Sequence, residues 1–293
     1  KVDRLGRIIQ DTGTGGSWPC SSDRVVWALS AWNIYLATGD MDWLQKAYDI
    51  IGRSLEADFV VVYNPQTGLF RGESSFIDWR EQSYPVWAQP ADIYMSECLG
   101  TNAAYYGVLK VMEDMATVLG KKKDVKKYGQ KAEALKKAIN DNFWVEEDGY
   151  YASYLYGRQN LTRTQQSETL GESFCVLFGI ADEERAAKVI SSMPVGEFGP
   201  PIFSPQIVSQ PDYHNNGVWP YVTSFWGKAA AKAGNETALM HALACNVRTA
   251  SIYATNYENY SFNTGNPYTT QINSPNMLWG LSGFMGLFHR TFF

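Results

Sequence analysis

The sequence predicts an all-α fold: a toroid of helical hairpins, with short β-ribbons in the loops at one face. Three observations predict it. Apolar residues recur at helical spacing in consecutive pairs of segments, each pair joined by a short turn. A loop or brief ribbon rich in aromatics and acids follows each pair. No period of a few tens of residues repeats along the chain, which argues against an open solenoid.

The elements follow in order. Residues 1–20 are Gly-rich and irregular. Ser21, Ser22 and Asp23 offer caps for a first helix, with apolar positions Val26, Leu29, Ala31, Ile34 and Tyr35 and a stop at Thr38-Gly39. Asp40 caps its partner, which carries Trp43, Leu44, Ala47, Ile50, Ile51 and Leu55. Phe59–Tyr63 reads as a short β-like run, followed by the turn Asn64-Pro65-Gln66-Thr67-Gly68 and then Leu69-Phe70. A long helix is expected over Ile93–Leu119, broken at Gly120, with Lys123–Phe143 as its partner. Tyr150–Tyr156 is a second β-like run. Thr164–Gly179 and Asp182–Ser192 form a third helical pair. Gly196–Asn216 is long and Pro-rich, but Phe198, Ile202, Phe203, Ile207 and Tyr213 argue for an ordered loop. Trp219–Ala233 and Glu236–Ala254 make a fourth hairpin, Thr255–Ser274 a polar aromatic loop, and Asn276–Arg290 a last helix. The count is about nine helices.

Bulk properties narrow the function. The chain has 293 residues, and its net charge of −5 comes without a long basic run. Lys121–Lys127 is the one lysine cluster and reads as the face of a helix start, so nucleic acid is not an expected partner. No apolar run approaches a membrane span. Length suggests two domains, yet closed barrels reach this size as one, and a single domain over 1–293 is expected. Cys20, Cys98, Cys175 and Cys245 are far apart with no C-x-x-C, which disfavours zinc and redox motifs; three of them sit in apolar helical contexts and are expected as buried thiols. The chain lacks an initial Met and a signal peptide, as a processed or trimmed end would, and a periplasmic or secreted location is favoured over a cytoplasmic one. Aromatic residues make up 14% of the chain, with ten Trp and eighteen Tyr, and aromatics line ligand grooves as well as cores.

One stretch draws these features together. Gly72–Pro85 packs Glu73, Asp78, Glu81, Arg80, Phe76, Trp79 and Tyr84 into fourteen residues. Buried carboxylates need partners or a function. Acids among aromatic faces suit a carbohydrate: sugar C–H faces pack on rings, hydroxyls bond to carboxylates, and a carboxyl gives a proton to the leaving oxygen. The structural alternative is a solvated turn with one Arg–Asp pair. Glu258 has a similar setting, between Tyr257 and Tyr260 with Asn256, Asn259 and Asn263 nearby; the alternative is a polar connecting loop. Glu97 in S-E-C-L-G-T-N reads, by itself, as dipole compensation in a first helical turn. His214, flanked by Tyr213 and two amides and running into Trp219-Pro220, has the groups to hold a sugar or to cap a helix. His241 and His289 lie on helices away from it, which disfavours a zinc site. A Cys98–His214 thiol pair has no activating context. No phosphate-binding or dinucleotide fingerprint is present, and no cofactor is expected.

With these residues in hand, the chain resembles the C-terminal catalytic part of the six-hairpin, (α/α)6-barrel glycosidases, closest to the amylo-α-1,6-glucosidase (glycogen-debranching) type and the processing α-glucosidases of glycoside hydrolase family 63. The likeness is carried by Ser22-Asp23-Arg24-Val25-Val26-Trp27 through Thr38-Gly39-Asp40, by Phe76-Ile77-Asp78 where that family has Trp-Met-Asp, by Glu97–Tyr106, by His214-Asn-Asn-Gly-Val-Trp-Pro-Tyr, by Tyr257-Glu258-Asn259-Tyr260 and by Trp279. The resemblance implies Asp78 as general acid and Glu258 as the second catalytic carboxylate, in inverting hydrolysis of an α-glycoside. Trp79, Arg80, Glu81, Glu97, His214, Trp219 and Tyr257 are the expected sugar-binding residues. An oligosaccharide or polysaccharide is the expected substrate, with α-glucoside as the family default and α-mannoside or rhamnoside as alternatives. Phe76 in place of Trp and the charged Trp79-Arg80-Glu81 depart from the pattern. The family barrel has about twelve helices against about nine counted here, so opening helices and an upstream domain are expected before Lys1. Two other classes stay open: a non-catalytic carbohydrate-binding toroid, and a polysaccharide lyase using Tyr213 and His214.

Overall fold

A computed structural model describes residues 2–9, 23–73, 84–157 and 160–293. The elements run α1 (Asp23–Thr38), α2 (Met41–Val61), β1 (Tyr63–Asn64), β2 (Leu69–Phe70), α3 (Pro90–Met95), β3 (Glu97–Cys98), α4 (Leu99–Val118) and α5 (Lys122–Phe143). They continue with β4 (Trp144–Val145), β5 (Tyr150–Tyr151), β6 (Tyr154–Tyr156), β7 (Thr162–Arg163), β8 (Ser167–Glu168), α6 (Thr169–Phe178) and α7 (Glu183–Ser192). The last are β9 (Phe203–Ser204), β10 (Gly217–Val218), α8 (Pro220–Lys232), α9 (Glu236–Tyr253), β11 (Tyr260–Ser261) and α10 (Leu278–Phe292). The molecule is all-α, its strands confined to ribbons of two or three residues in the loops. The chain divides into two compact units, the first centred on residues 1–143 and the second on residues 164–293.

In the first unit α4 is the central helix. Fifteen of its 20 residues are buried, leaving only Lys110, Glu113, Asp114, Thr117 and Val118 at its C-terminal end in contact with solvent, and it packs on α1, α2 and α5. Its partner α5 is amphipathic and buries a single stripe, Tyr128, Ala132, Leu135, Ile139 and Phe143, at spacings of three and four. The turn between them is a Schellman motif. Gly120 takes φ 70°, the Gly120 N–H donates to Thr117 O at 3.1 Å, and the Lys121 N–H donates to Ala116 O at 2.8 Å. In α2, Asp40 caps as expected, accepting from the Trp43 N–H at 2.9 Å. β3 pairs antiparallel with β6, Glu97 opposite Leu155, and β6 pairs with β7.

Asn102, fully buried in the first turn of α4, fastens β2. Its Oδ1 accepts from the Phe70 N–H at 2.7 Å, and its Nδ2 donates to Phe70 O at 3.0 Å and to Cys98 O at 2.8 Å. Phe70 in turn stacks on Tyr105, centroids 3.8 Å apart and planes 4° from parallel.

In the second unit α8 packs on α6, α9 and α10. Gly227 marks the closest approach: a Cβ there meets the Ala242 Cβ at 2.9 Å and Leu287 Cδ2 at 3.0 Å. The α8–α9 turn repeats the Schellman arrangement, with Gly234 at φ 73° and the Asn235 N–H donating to Ala230 O at 2.9 Å. Eight of the ten residues of α6 are buried, and two acids are buried at its start. Glu168 is the N-cap and accepts from the Gly171 N–H at 3.1 Å. One turn on, Glu172 accepts from the Tyr151 N–H at 2.9 Å, while its Oε2 is buried without a hydrogen-bond partner among the described residues. Burial drives the Glu172 carboxyl well above the ordinary 4.5; the Tyr151 N–H opposes this, and the charge of Glu168 adds to it.

Several elements differ from expectation. Phe59–Tyr63 does not start as a strand, because α2 runs on to Val61. The buried series Leu44, Ala47, Tyr48, Ile51, Leu55 and Asp58 holds helical phase through it, and Lys131 Nζ lies 3.3 Å from the Phe59 ring centroid. The helix expected over Ile93–Leu119 is two helices. α3 starts at Pro90 and ends at Met95, capped by Ser96, whose Oγ donates to Ile93 O at 2.6 Å, and β3 intervenes. Glu97 therefore lies on a strand, not in a first helical turn, and so does Cys98. The helix expected from Thr164 starts at Thr169, because Ser167 and Glu168 pair with Ser204 and Phe203. Tyr150–Tyr156 splits into β5, paired with β4, and β6. Ten helices stand among the described residues.

Two stability measurements test this account. Asn102→Ala removes the side-chain partner of the buried Phe70 N–H and C=O, and chemical denaturation is expected to register a loss of about 3 kcal/mol; a loss under about 1 kcal/mol contradicts the bracing role. For Glu172 the folded carboxyl binds its proton more tightly than the unfolded one. Above the ordinary 4.5 the unfolded chain therefore releases a proton that the folded chain retains, and stability falls as pH rises until the folded group titrates. Glu172→Gln removes that slope. Its melting temperature relative to the parent is expected to climb from pH 4 to pH 8, and a pH-independent difference refutes the assignment.

Candidate active site

Of the residues expected in the site, Asp78, Trp79, Arg80 and Glu81 lie outside the described residues. Glu97 is in the first unit; His214, Trp219, Tyr257 and Glu258 are in the second.

Glu97 is fully buried, its carboxylate turned to the β1–β2 turn. Oε1 accepts from Asn64 Nδ2 at 2.7 Å and from Thr67 Oγ1 at 2.9 Å. The turn is preset by Asn64, whose Oδ1 accepts from the Gln66 N–H at 3.1 Å, and by Gly68 at φ 76°. Glu97 Oε2 is buried and has no hydrogen-bond partner among the described residues. Burial raises the Glu97 carboxyl above its ordinary value, against the opposing bonds from Asn64 and Thr67 and the charge of Arg71. A carboxyl so held retains its proton into a higher pH range than a solvated one. Glu73 is also buried beside this segment, and its carbonyl accepts from Thr101 Oγ1.

In the second unit the structure brings together two stretches singled out from the sequence. β10 and β11 pair antiparallel, Gly217 opposite Ser261 and Val218 opposite Tyr260, so the His214–Trp219 segment runs alongside the Glu258 loop. Asp212 joins them as well: its Oδ2 accepts from Asn216 Nδ2 and from Ser261 Oγ, each at 2.9 Å, and its carbonyl accepts from the Gln271 N–H at 2.8 Å. The Phe262 N–H donates to Asn216 O at 2.8 Å. Only glycine fits at 217, where a Cβ falls 1.8 Å from Tyr213 O.

His214 is buried between two rings, 4.5 Å from Tyr213 and 5.1 Å from Trp219 between centroids. Trp219 Nε1 donates to Tyr213 O at 3.0 Å, and its ring meets Trp279 edge-on at 5.5 Å. Asn215 ties down the long loop, accepting from the Ile207 N–H at 2.8 Å and donating to Gln210 O at 2.9 Å. Glu258 is half-buried at the head of its loop, and its N–H donates to Ser274 O at 2.9 Å. Tyr257 is half-buried beside it; its N–H donates to the Tyr260 hydroxyl at 3.1 Å. The arrangement offers a carboxylate at a partly open position, framed by tyrosines and amides and backed by a rigid two-stranded ladder.

Sequence reading passed over Glu168. It stands in S-E-T-L-G at 167–171, matching S-E-C-L-G at 96–100. Both glutamates are on short strands that lead directly into a buried helix, and both are fully buried. That local repeat was the available signal. Cys98, Cys175 and Cys245 are buried, and among the described residues no group of three His, Cys, Asp or Glu side chains is arranged to hold a metal.

Comparison with known proteins agrees with this architecture. Residues 12–195 match the family described as the bacterial alpha-L-rhamnosidase 6 hairpin glycosidase domain. Among solved structures, the chain is similar to the GH78 family rhamnosidase of Bacillus sp. GL1, with TM-score 0.66 and 21% identity over 90% of this chain and 26% of that one. It is also similar to a rhamnosidase from Klebsiella oxytoca with rhamnose bound, with TM-score 0.63 and 16% identity over 90% of this chain and 45% of that one. A structure described as a wild-type glycosidase aligns with TM-score 0.66 and 14% identity, over 92% of this chain and 66% of that one. At these identities the likeness is one of fold. The chain spans about a quarter and under half, respectively, of the two rhamnosidases. No curated protein sequence matches it. The expected six-hairpin glycosidase superfamily is thus shown, with the match falling on its rhamnosidase branch rather than on the amylo-α-1,6-glucosidases. The chain belongs to the bacterial α-L-rhamnosidase six-hairpin glycosidase domain family.

Proposed function

We propose that this domain hydrolyses an α-L-rhamnosidic bond with inversion, in a neutral oligosaccharide or polysaccharide. The observation that carries the reading is the match of residues 12–195 to a rhamnosidase domain family. The two similar rhamnosidase structures, one with rhamnose bound, support the same sugar. Asp78 is the proposed general acid and protonates the glycosidic oxygen. Glu258 is the proposed general base and takes a proton from the water that attacks the anomeric carbon from the opposite side. Its half-buried position suits a base in contact with water. Inversion requires room for that water, a carboxyl separation of roughly 6.5–9.5 Å. Trp79, Arg80, Glu81 and Tyr257 are proposed to contact the sugar; Glu97, His214 and Trp219, expected in the same role, are buried, at 0–2% exposure. An α-glucoside is the competing substrate, favoured by the likeness of His214–Tyr221 to the debranching enzymes.

The test is hydrolysis of α-L-rhamnosides beside α-glucosides, with the first-formed anomer read by NMR. Release of β-L-rhamnose is expected. Glucose release without rhamnose release rejects the sugar, and α-L-rhamnose as first product rejects inversion. Asp78→Asn and Glu258→Gln are each expected to lower kcat by about 10³-fold or more with the melting temperature kept; near-normal turnover in either variant removes its residue from the mechanism.

A further inference from the structure

Next to Glu258, the end of α9 and the loop 255–274 carry four tyrosines that the proposed chemistry does not use as acids or bases. Tyr253, Tyr257 and Tyr268 form a triangle of edge-on rings, with centroids 5.9, 6.1 and 5.7 Å apart and interplanar angles of 80°, 82° and 78°. Tyr260 lies beneath, fully buried, 5.7 Å from Tyr253 and 6.2 Å from Tyr257. Exposure rises outward from Tyr260 through Tyr253 and Tyr257 to Tyr268, which is 72% exposed. Core packing accounts for Tyr260 at the base. It does not account for Tyr268 at the top.

The rings are held in place. The Tyr253 hydroxyl donates to Gly265 O at 2.9 Å, the Tyr257 and Tyr268 hydroxyls are 3.2 Å apart, and the Tyr268 N–H donates to Asn266 Oδ1 at 2.8 Å. The loop is cross-braced by Asn273, whose Nδ2 donates to Asn259 O and Pro267 O at 2.8 Å each, and by Asn259, whose Nδ2 donates to Ile272 O at 3.0 Å. These bonds tie the rings to the loop without a ligand, and preorganisation of this kind favours affinity on an exposed surface. The loop 255–274 contains no lysine or arginine, so it offers no cationic side chain to a ligand. Ring faces edged with phenol hydroxyls and amides match a neutral sugar, whose C–H face packs on a ring while its hydroxyls bond at the rim.

We propose that Tyr253, Tyr257 and Tyr268 form a preorganised platform that binds a sugar residue beyond the one at the scissile bond, so that the natural substrate is a glycan of several residues. The placement beside the cleavage point rests on the reading of Glu258 given above; the platform itself does not. The test uses Tyr268→Ala and Tyr268→Phe in the whole chain, with two substrates. α-L-Rhamnosyl fluoride carries only the one sugar, and an α-linked rhamnotetraose carries more. Tyr268→Ala is expected to raise KM for the tetrasaccharide about tenfold with kcat kept, to leave the fluoride unaffected, and to be rescued by Tyr268→Phe. Equal losses on both substrates, or none on the tetrasaccharide, overturn the proposal. If neither substrate turns over, the sugar assignment has failed but the platform is still tested, by native electrophoresis in gels containing soluble rhamnan or α-glucan. Retardation of the parent that Tyr268→Ala abolishes supports the platform, and absence of retardation in either gel overturns it.

Discussion

Near-complete burial of the central helices is the constraint on which the rest depends. α4 hides 15 of 20 residues and α6 eight of ten, so solvent-exposed charge on α4 is confined to an edge at its C-terminal end, Lys110, Glu113 and Asp114. Polar groups are pushed to the junctions where a short strand turns into a helix. There the unpaired N–H groups and the positive end of the helix dipole favour a carboxylate. Glu168 at the cap of α6 takes such a bond, from the Gly171 N–H, whereas Glu97 at the corresponding place before α4 turns its carboxylate to the β1–β2 turn; the His214–Trp219 segment precedes α8.

Each junction solves a local problem of satisfaction. Glu97 has one oxygen bonded twice and one buried without a bond among the described residues, and Glu172 in α6 likewise has one oxygen bonded and one not. Desolvation dominates at both, and both carboxyls are shifted toward the protonated form. The loop before α8 relies on amides and one aspartate instead. Asn215, Asn216 and Asp212 knit it to β11, so that the histidine and tryptophan sit at one fixed distance from the Glu258 loop.

The helical pairs were legible because each has an amphipathic partner and strong punctuation. Asp40, Gly120 and the Gly234-Asn235 step fall where caps and left-handed turns require them. The ribbons were legible only in part: Leu69-Phe70 and Tyr150–Tyr156 fall on β2, β5 and β6, but two-residue ladders carry no periodicity that names their partners. The break at Ser96 has no Gly or Pro to announce it; pairing of β3 with β6, some sixty residues away, makes it. Phe59–Tyr63 misled for the opposite reason, a β-branched run overridden by helical phase. Glu258, Tyr257, His214 and Trp219 stood out because aromatics and amides are unusual in a connecting loop. Glu168 was not, because an acid preceding a helix is ordinary until its burial is known.

The amino-acid sequence by itself determined the class of fold, the order of the hairpins and the residue types that a sugar site requires, because helical phase and capping act over a few residues. Tertiary structure decided where the long helix breaks, which acids lose their water, and that the His214 and Glu258 stretches share one ladder. Those outcomes depend on pairings between residues tens of positions apart, and no local pattern encodes the partner's position or the depth at which a carboxylate is buried.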